Sequence, residues 1–122
     1  MTSAKGGWNV VASGVGMAWV FLAIAIASEV FATIMLKASE GFSKLLPAIA
    51  VVLGYSFSFF MLALALRTIG LSTAYAIWAG IGTVGATIAG VVIFGENLPV
   101  LAIVGIGLVV IGVVLLNVAV PH

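Results

Sequence analysis

Four long apolar runs, roughly residues 17–37, 47–66, 72–94 and 99–119, take up nearly all of this 122-residue sequence. A helix needs about 20 residues to cross a ~30 Å hydrocarbon core at ~1.5 Å rise per residue, and each run meets that length. No water satisfies the backbone inside a bilayer, so a span must be a helix or a strand of a closed barrel. The alternation of a barrel strand is absent. The sequence therefore predicts an all-α membrane protein with four transmembrane helices in one domain, residues 17–120. With 65% hydrophobic and 6% charged residues there is no polar face for a water-soluble fold.

The same composition excludes whole classes of chemistry. Without cysteine there is neither a disulfide framework nor a cysteine-held metal. The only histidine is His122, and aspartate is absent. Metal catalysis and a Ser-His-Asp triad therefore lack their parts, and neither a cofactor nor an enzyme activity is expected. A net charge of +1 provides no basic footprint for nucleic acid. The first run is too long for a secretory leader and lacks a small-residue cleavage pattern, so it reads as a retained span.

Residues 1–16 are Gly- and Ser-rich and read as a loose N-terminal extension, with Trp8 as a headgroup anchor. Pro47 suits the first turn of the second span, where its missing N–H costs nothing. The links are short, which predicts antiparallel sequential neighbours. Lys5 and Arg67 then fall on one side of the membrane, Lys37 and Lys44 on the other. Two against two is no positive-inside bias. That balance predicts insertion in both orientations and makes an antiparallel homodimer available.

Glu29 is the only charged residue deep inside any run: between Met17 and Leu36, twelve residues precede it and seven follow. A carboxylate near the bilayer centre costs at least ~2.5–3.5 kcal/mol and marks ion or proton handling by default. The plainer alternative is a protonated Glu bonded to a neighbouring helix. Its own face holds Ala25, Ala32 and Thr33, small residues that leave room for a ligand or for another helix.

On the third run Tyr75 and Trp78 share a face that continues through Ala79 and Gly82. Aromatic faces attract cations, by ~2 kcal/mol or more when both are desolvated; the alternative is an interfacial belt. Gly80 and Gly82 make this helix pliable, or simply closely packed. On the second run Tyr55, Ser58 and Phe59 share a face from which Tyr55 is placed to donate to a carboxylate and Phe59 to wall a cation pocket. Lipid-facing bulk is the alternative there. Gly105 and Gly112 return to one face of the fourth run and read as a dimer seam, since helices in lipid associate where small residues let backbones approach. Internal packing is the alternative.

These residues together resemble the small multidrug resistance family of proton-coupled exporters, from about Met17 to Asn117. The resemblance rests on Ser28-Glu29-Val30, Lys37, Ser39-Glu40-Gly41-Phe42, Pro47, Ala74-Tyr75-Ala76-Ile77-Trp78, Gly80, Gly82, Gly105 and Gly112. It implies a four-helix protomer in an asymmetric antiparallel dimer, with helices 1–3 of both copies forming one site and helix 4 the main dimer contact. Ala32 and Ser39–Phe42 are similar to the quaternary-ammonium branch, whereas the run Gly80–Gly90 is similar to the guanidinium branch.

The expectation is a proton-coupled antiporter of the bacterial inner membrane. It would export small hydrophobic cations such as quaternary ammonium compounds, with protons, the lipid bilayer and a second copy of itself as its other partners. Glu29 would bind proton and substrate in turn. Trp78, Tyr75, Tyr55, Ser58, Phe59, Ala25, Ala32 and Thr33 would contact substrate. A guanidinium exporter is the nearest alternative. A non-transporting membrane subunit is the rival from another class, and it leaves Glu29 unexplained.

Overall fold

The computed structural model describes the backbone of residues 4–120 and the side chains of residues 14–120. The described chain forms four helices: α1 (Ala4–Ala38), α2 (Leu45–Ala65), α3 (Leu71–Phe94) and α4 (Val100–Ala119). The stretches Gly14–Ala38, Leu45–Ala65, Leu71–Phe94 and Val100–Ala119 are each long and apolar enough to cross a membrane, close to the expected spans. The first helix begins earlier than expected, at Ala4 rather than Met17. No proline interrupts residues 4–16, and each glycine costs a helix only ~1 kcal/mol. The anchoring role expected of Trp8 falls on a side chain outside the described residues, as does His122.

The turns show how these helices stop. Pro47 lies in the first turn of α2, as its chemistry requires. After α1, Glu40, Gly41 and Phe42 all take positive φ (48°, 72° and 64°). Left-handed backbone costs a non-glycine residue roughly 1–2 kcal/mol, so something must hold this turn. The fully buried Ser39 does: its hydroxyl donates to the Leu36 carbonyl (2.7 Å) and accepts from the Phe42 N–H (3.0 Å). At the end of α3, Gly95 adopts φ 67°, which lets its N–H and that of Glu96 both reach the Gly90 carbonyl.

The helices do not pack in sequence order. α1 lies centrally, against α2 on one side and α3 on the other, and α4 packs on α3. α2 and α3 are neighbours too, but they meet through side chains: Phe59 lies against Trp78, whose indole donates to Ser58. Small residues decide the order, because in lipid close backbone approach drives association. A Cβ built on Gly54 of α2 would stand 2.9 Å from the Ala32 Cβ of α1, and one on Gly85 of α3 would stand 3.0 Å from Val30. Between α2 and α3 aromatic rings intervene and hold the backbones apart. The core is Ala18, Leu22 and Ala25 of α1 with Leu62 and Ala65 of α2, Ile69, and Ala74 of α3. α4 contributes no buried residue.

Candidate functional site

Glu29 sits on the α3-facing side of α1, with its carboxylate against Gly82. A Cβ at position 82 would stand 2.8 Å from Oε1 and 2.9 Å from Cδ of Glu29, and would collide with Oε2. Only glycine leaves that space, so Gly82 is the seat of the carboxylate rather than just a point of pliancy. Glu29 Oε2 is buried and has no hydrogen-bond partner in the protomer. A buried charge without a partner is costly. Among the described residues nothing bonds to that oxygen.

Around it, α1, α2 and α3 are tied by side-chain hydrogen bonds. The Thr33 hydroxyl donates back to the Glu29 carbonyl (2.9 Å) and lies 2.6 Å from the Tyr55 hydroxyl. Thr33 has one proton to give, so Tyr55 donates to Thr33. Tyr55 is thus engaged one turn from the carboxylate, not bonded to it, which corrects the donor role expected of it. Ser58 is fully buried; it donates to the Ala25 carbonyl across the α1–α2 contact (2.6 Å) and accepts from Trp78 Nε1 (3.3 Å). Ser58 therefore orients the indole. A polar atom facing a helix of small residues was the only signal of this in the sequence.

The aromatic residues form one continuous wall. Tyr55 stacks near Phe59 (6.3 Å between centroids), Phe59 meets Trp78 (5.8 Å), and Trp78 meets Tyr75 (5.6 Å). Phe59 and Tyr75 at its outer edge are each 55% exposed in the protomer. The structure brings Tyr55, Ser58, Phe59, Tyr75 and Trp78 together between α2 and α3, ties Tyr55 to Thr33 of α1, and seats Glu29 against Gly82, one turn along α3 from Trp78.

Ala25 and Ala32 differ. Both are fully buried against α2, so the room their small side chains provide is filled by a helix and not left for a ligand. Gly80 is buried against α4, where an added Cβ would lie 2.6 Å from Val113 Cγ2; it is a packing glycine, and α3 runs unbroken through it. A Cβ on Gly105 or Gly112 would meet nothing within 4 Å. Their small size thus serves no contact inside the protomer.

Four helices long and apolar enough to cross a membrane, with one carboxylate oxygen buried between two of them, define a polytopic membrane protein. The sequence matches the family described as Small Multidrug Resistance protein over residues 17–109, and the chain belongs to that family. It is 52% identical over 66 residues to the quaternary ammonium compound-resistance protein QacF of Klebsiella aerogenes, a stretch covering 54% of this chain and 60% of that one. The same identity and coverage hold for QacE of Escherichia coli. The multidrug resistance protein EbrB of Bacillus licheniformis is 58% identical over 64 residues, 52% of this chain and 54% of its own. Its similarity runs to the quaternary-ammonium branch, and the matched stretch covers less than two thirds of each of these relatives.

Proposed function

We propose that this chain is a proton-coupled antiporter that exports small hydrophobic cations, quaternary ammonium compounds among them, from bacterial cells across the inner membrane. The observation that carries the reading is Glu29 Oε2, buried and without a hydrogen-bond partner among the described residues, seated against Gly82 one turn along α3 from Trp78. One acid then serves two ligands. A proton and an organic cation compete for the same carboxyl. Release of one to each side of the membrane couples their movements. The wall of Trp78, Tyr75 and Phe59 offers π faces and apolar area but few hydrogen-bonding groups, which suits varied lipophilic cations.

The working unit is an antiparallel homodimer, supported by the even split of Lys and Arg, the open edge of the aromatic wall, and the exposed Gly105 and Gly112 of α4. Two Glu29 carboxyls would then titrate as a pair. Residues 17–120 act as the single membrane domain, ahead of which residues 1–16 are accessory. The test is Glu29→Gln, which keeps shape but neither ionises nor counters a cation. In proteoliposomes with an imposed pH gradient it should abolish export of tetraphenylphosphonium while insertion persists. Proton-driven export by the Gln variant would overturn the mechanism.

A further inference from the structure

A second carboxylate–aromatic pair lies two turns along α1 from Glu29. There the Lys37 ammonium stands 3.4 Å from Glu96 Oε2 and 5.4 Å from the centroid of the Phe94 ring. Beneath it a cavity of about 170 Å³, lined by Thr33, Ile34, Ala86, Ala89 and Gly90, runs between α1 and α3. It reaches Thr33, whose hydroxyl is bonded to the Glu29 carbonyl. The Glu96 carboxylate folds back over Gly90 into the space a Cβ would fill there. The left-handed Gly95 makes that return possible. Three features of the α3 terminus therefore converge on holding one carboxylate beside one aromatic face over one cavity.

Stability does not account for the arrangement. The side chains of Lys37 and Glu96 are about half exposed, and exposed ion pairs contribute little. The other ion pair among the described residues, Lys44–Glu40 at 3.0 Å, links residues four apart in sequence; neither lines the cavity, and among the described residues only Lys37 has its ammonium over an aromatic ring. What surrounds the Lys37 ammonium is instead the set of groups that binds an organic cation: a carboxylate for its charge and a π face for its desolvated surface.

We propose that Glu96 and Phe94 form an outer binding site for organic ammonium cations at the mouth of the α1–α3 cavity, and that Lys37 occupies it as a tethered competitor. A cation approaching Glu29 from this side displaces the Lys37 ammonium, rests between Glu96 and Phe94, and is handed inward along Thr33. The site is complete within one protomer. It deepens the transport reading for substrate class, but its test is independent of Glu29.

The experiment is done on the full chain carrying Glu29→Gln, which silences the inner site. Tetraethylammonium is titrated while the amide resonances of Phe94, Gly95 and Glu96 are followed by NMR. Adding Lys37→Met or Lys37→Gln should tighten binding about tenfold, whereas Lys37→Arg should not. Adding Glu96→Gln or Phe94→Leu should remove the response, and Glu40→Gln should leave it unchanged. Equal affinity with and without the Lys37 charge, or shifts that survive Glu96→Gln, would overturn the outer site without touching the Glu29 reading. Loss of export in Glu29→Gln with no outer binding in any variant would likewise leave only the inner site standing.

Discussion

Replacing Gly82 by Ala is the sharpest probe of the seat beneath Glu29. A Cβ there would collide with Oε2 and stand 2.8 Å from Oε1, so the carboxylate must withdraw by about an ångström or more to reach ordinary contact. The obstructing atoms are the far end of a flexible side chain, so the helix need not move. An off-rotamer side chain costs ~0.5–1.5 kcal/mol, while exchanging Gly for Ala inside a helix returns ~1 kcal/mol. The two nearly cancel, and folding stability should change by less than about 1 kcal/mol.

Binding should not cancel. A misplacement of ~1 Å can cost about a hundredfold, so the displacement here should weaken tetraphenylphosphonium binding by about a hundredfold, or ~2.7 kcal/mol. Calorimetric titration in detergent measures the affinity, and thermal unfolding of the same preparation measures the stability. Parental affinity in Gly82→Ala would refute the placement of the carboxylate against α3. A large fall in unfolding temperature would refute the claim that only the side chain yields.

Trp78→Ala should weaken the same cation by ~1–3 kcal/mol through lost π and apolar contact; Trp78→Phe should recover part of this without the bond to Ser58, and an unchanged affinity in titrations of the Ala variant would remove the indole from the site. Ala32→Trp should act on packing: with Gly54 in close contact, overpacking of ~1–3 kcal/mol or more is expected, read as a lower unfolding temperature, and an unchanged one would show that α1 and α2 do not meet there. Gly105→Leu and Gly112→Leu should lower the crosslinked dimer fraction while leaving protomer stability within about 0.5 kcal/mol, since neither glycine faces a neighbour within 4 Å; an undiminished dimer fraction in both would move the seam elsewhere.

Much of this protein was determined by sequence alone. Span number follows from hydropathy and length, because lipid leaves the backbone only a helix or a closed barrel and the alternation of a barrel strand is absent. The choice of Glu29 as the candidate site follows from the cost of a charge at that depth. That Tyr75, Trp78 and Gly82 share a face follows from helical period. Helix starts were less legible: nothing in the glycine-rich residues 4–16 stops a helix, and nothing in them demands one.

Only the tertiary structure decided which helix meets which. Hydropathy is nearly uniform around a lipid-embedded helix, so it does not say which face packs inward. That choice was made by pairs of small residues, Ala32 with Gly54 and Val30 with Gly85, whose fit is invisible until two helices are placed together. The same placement turned Ala25 and Ala32 into packing residues, gave the Tyr55 hydroxyl to Thr33, and set Trp78 by way of Ser58. It also brought Glu96 to Lys37 across 59 positions of sequence. Such contacts depend on distances between helices of a few ångströms, and periodicity along one helix carries no information about them.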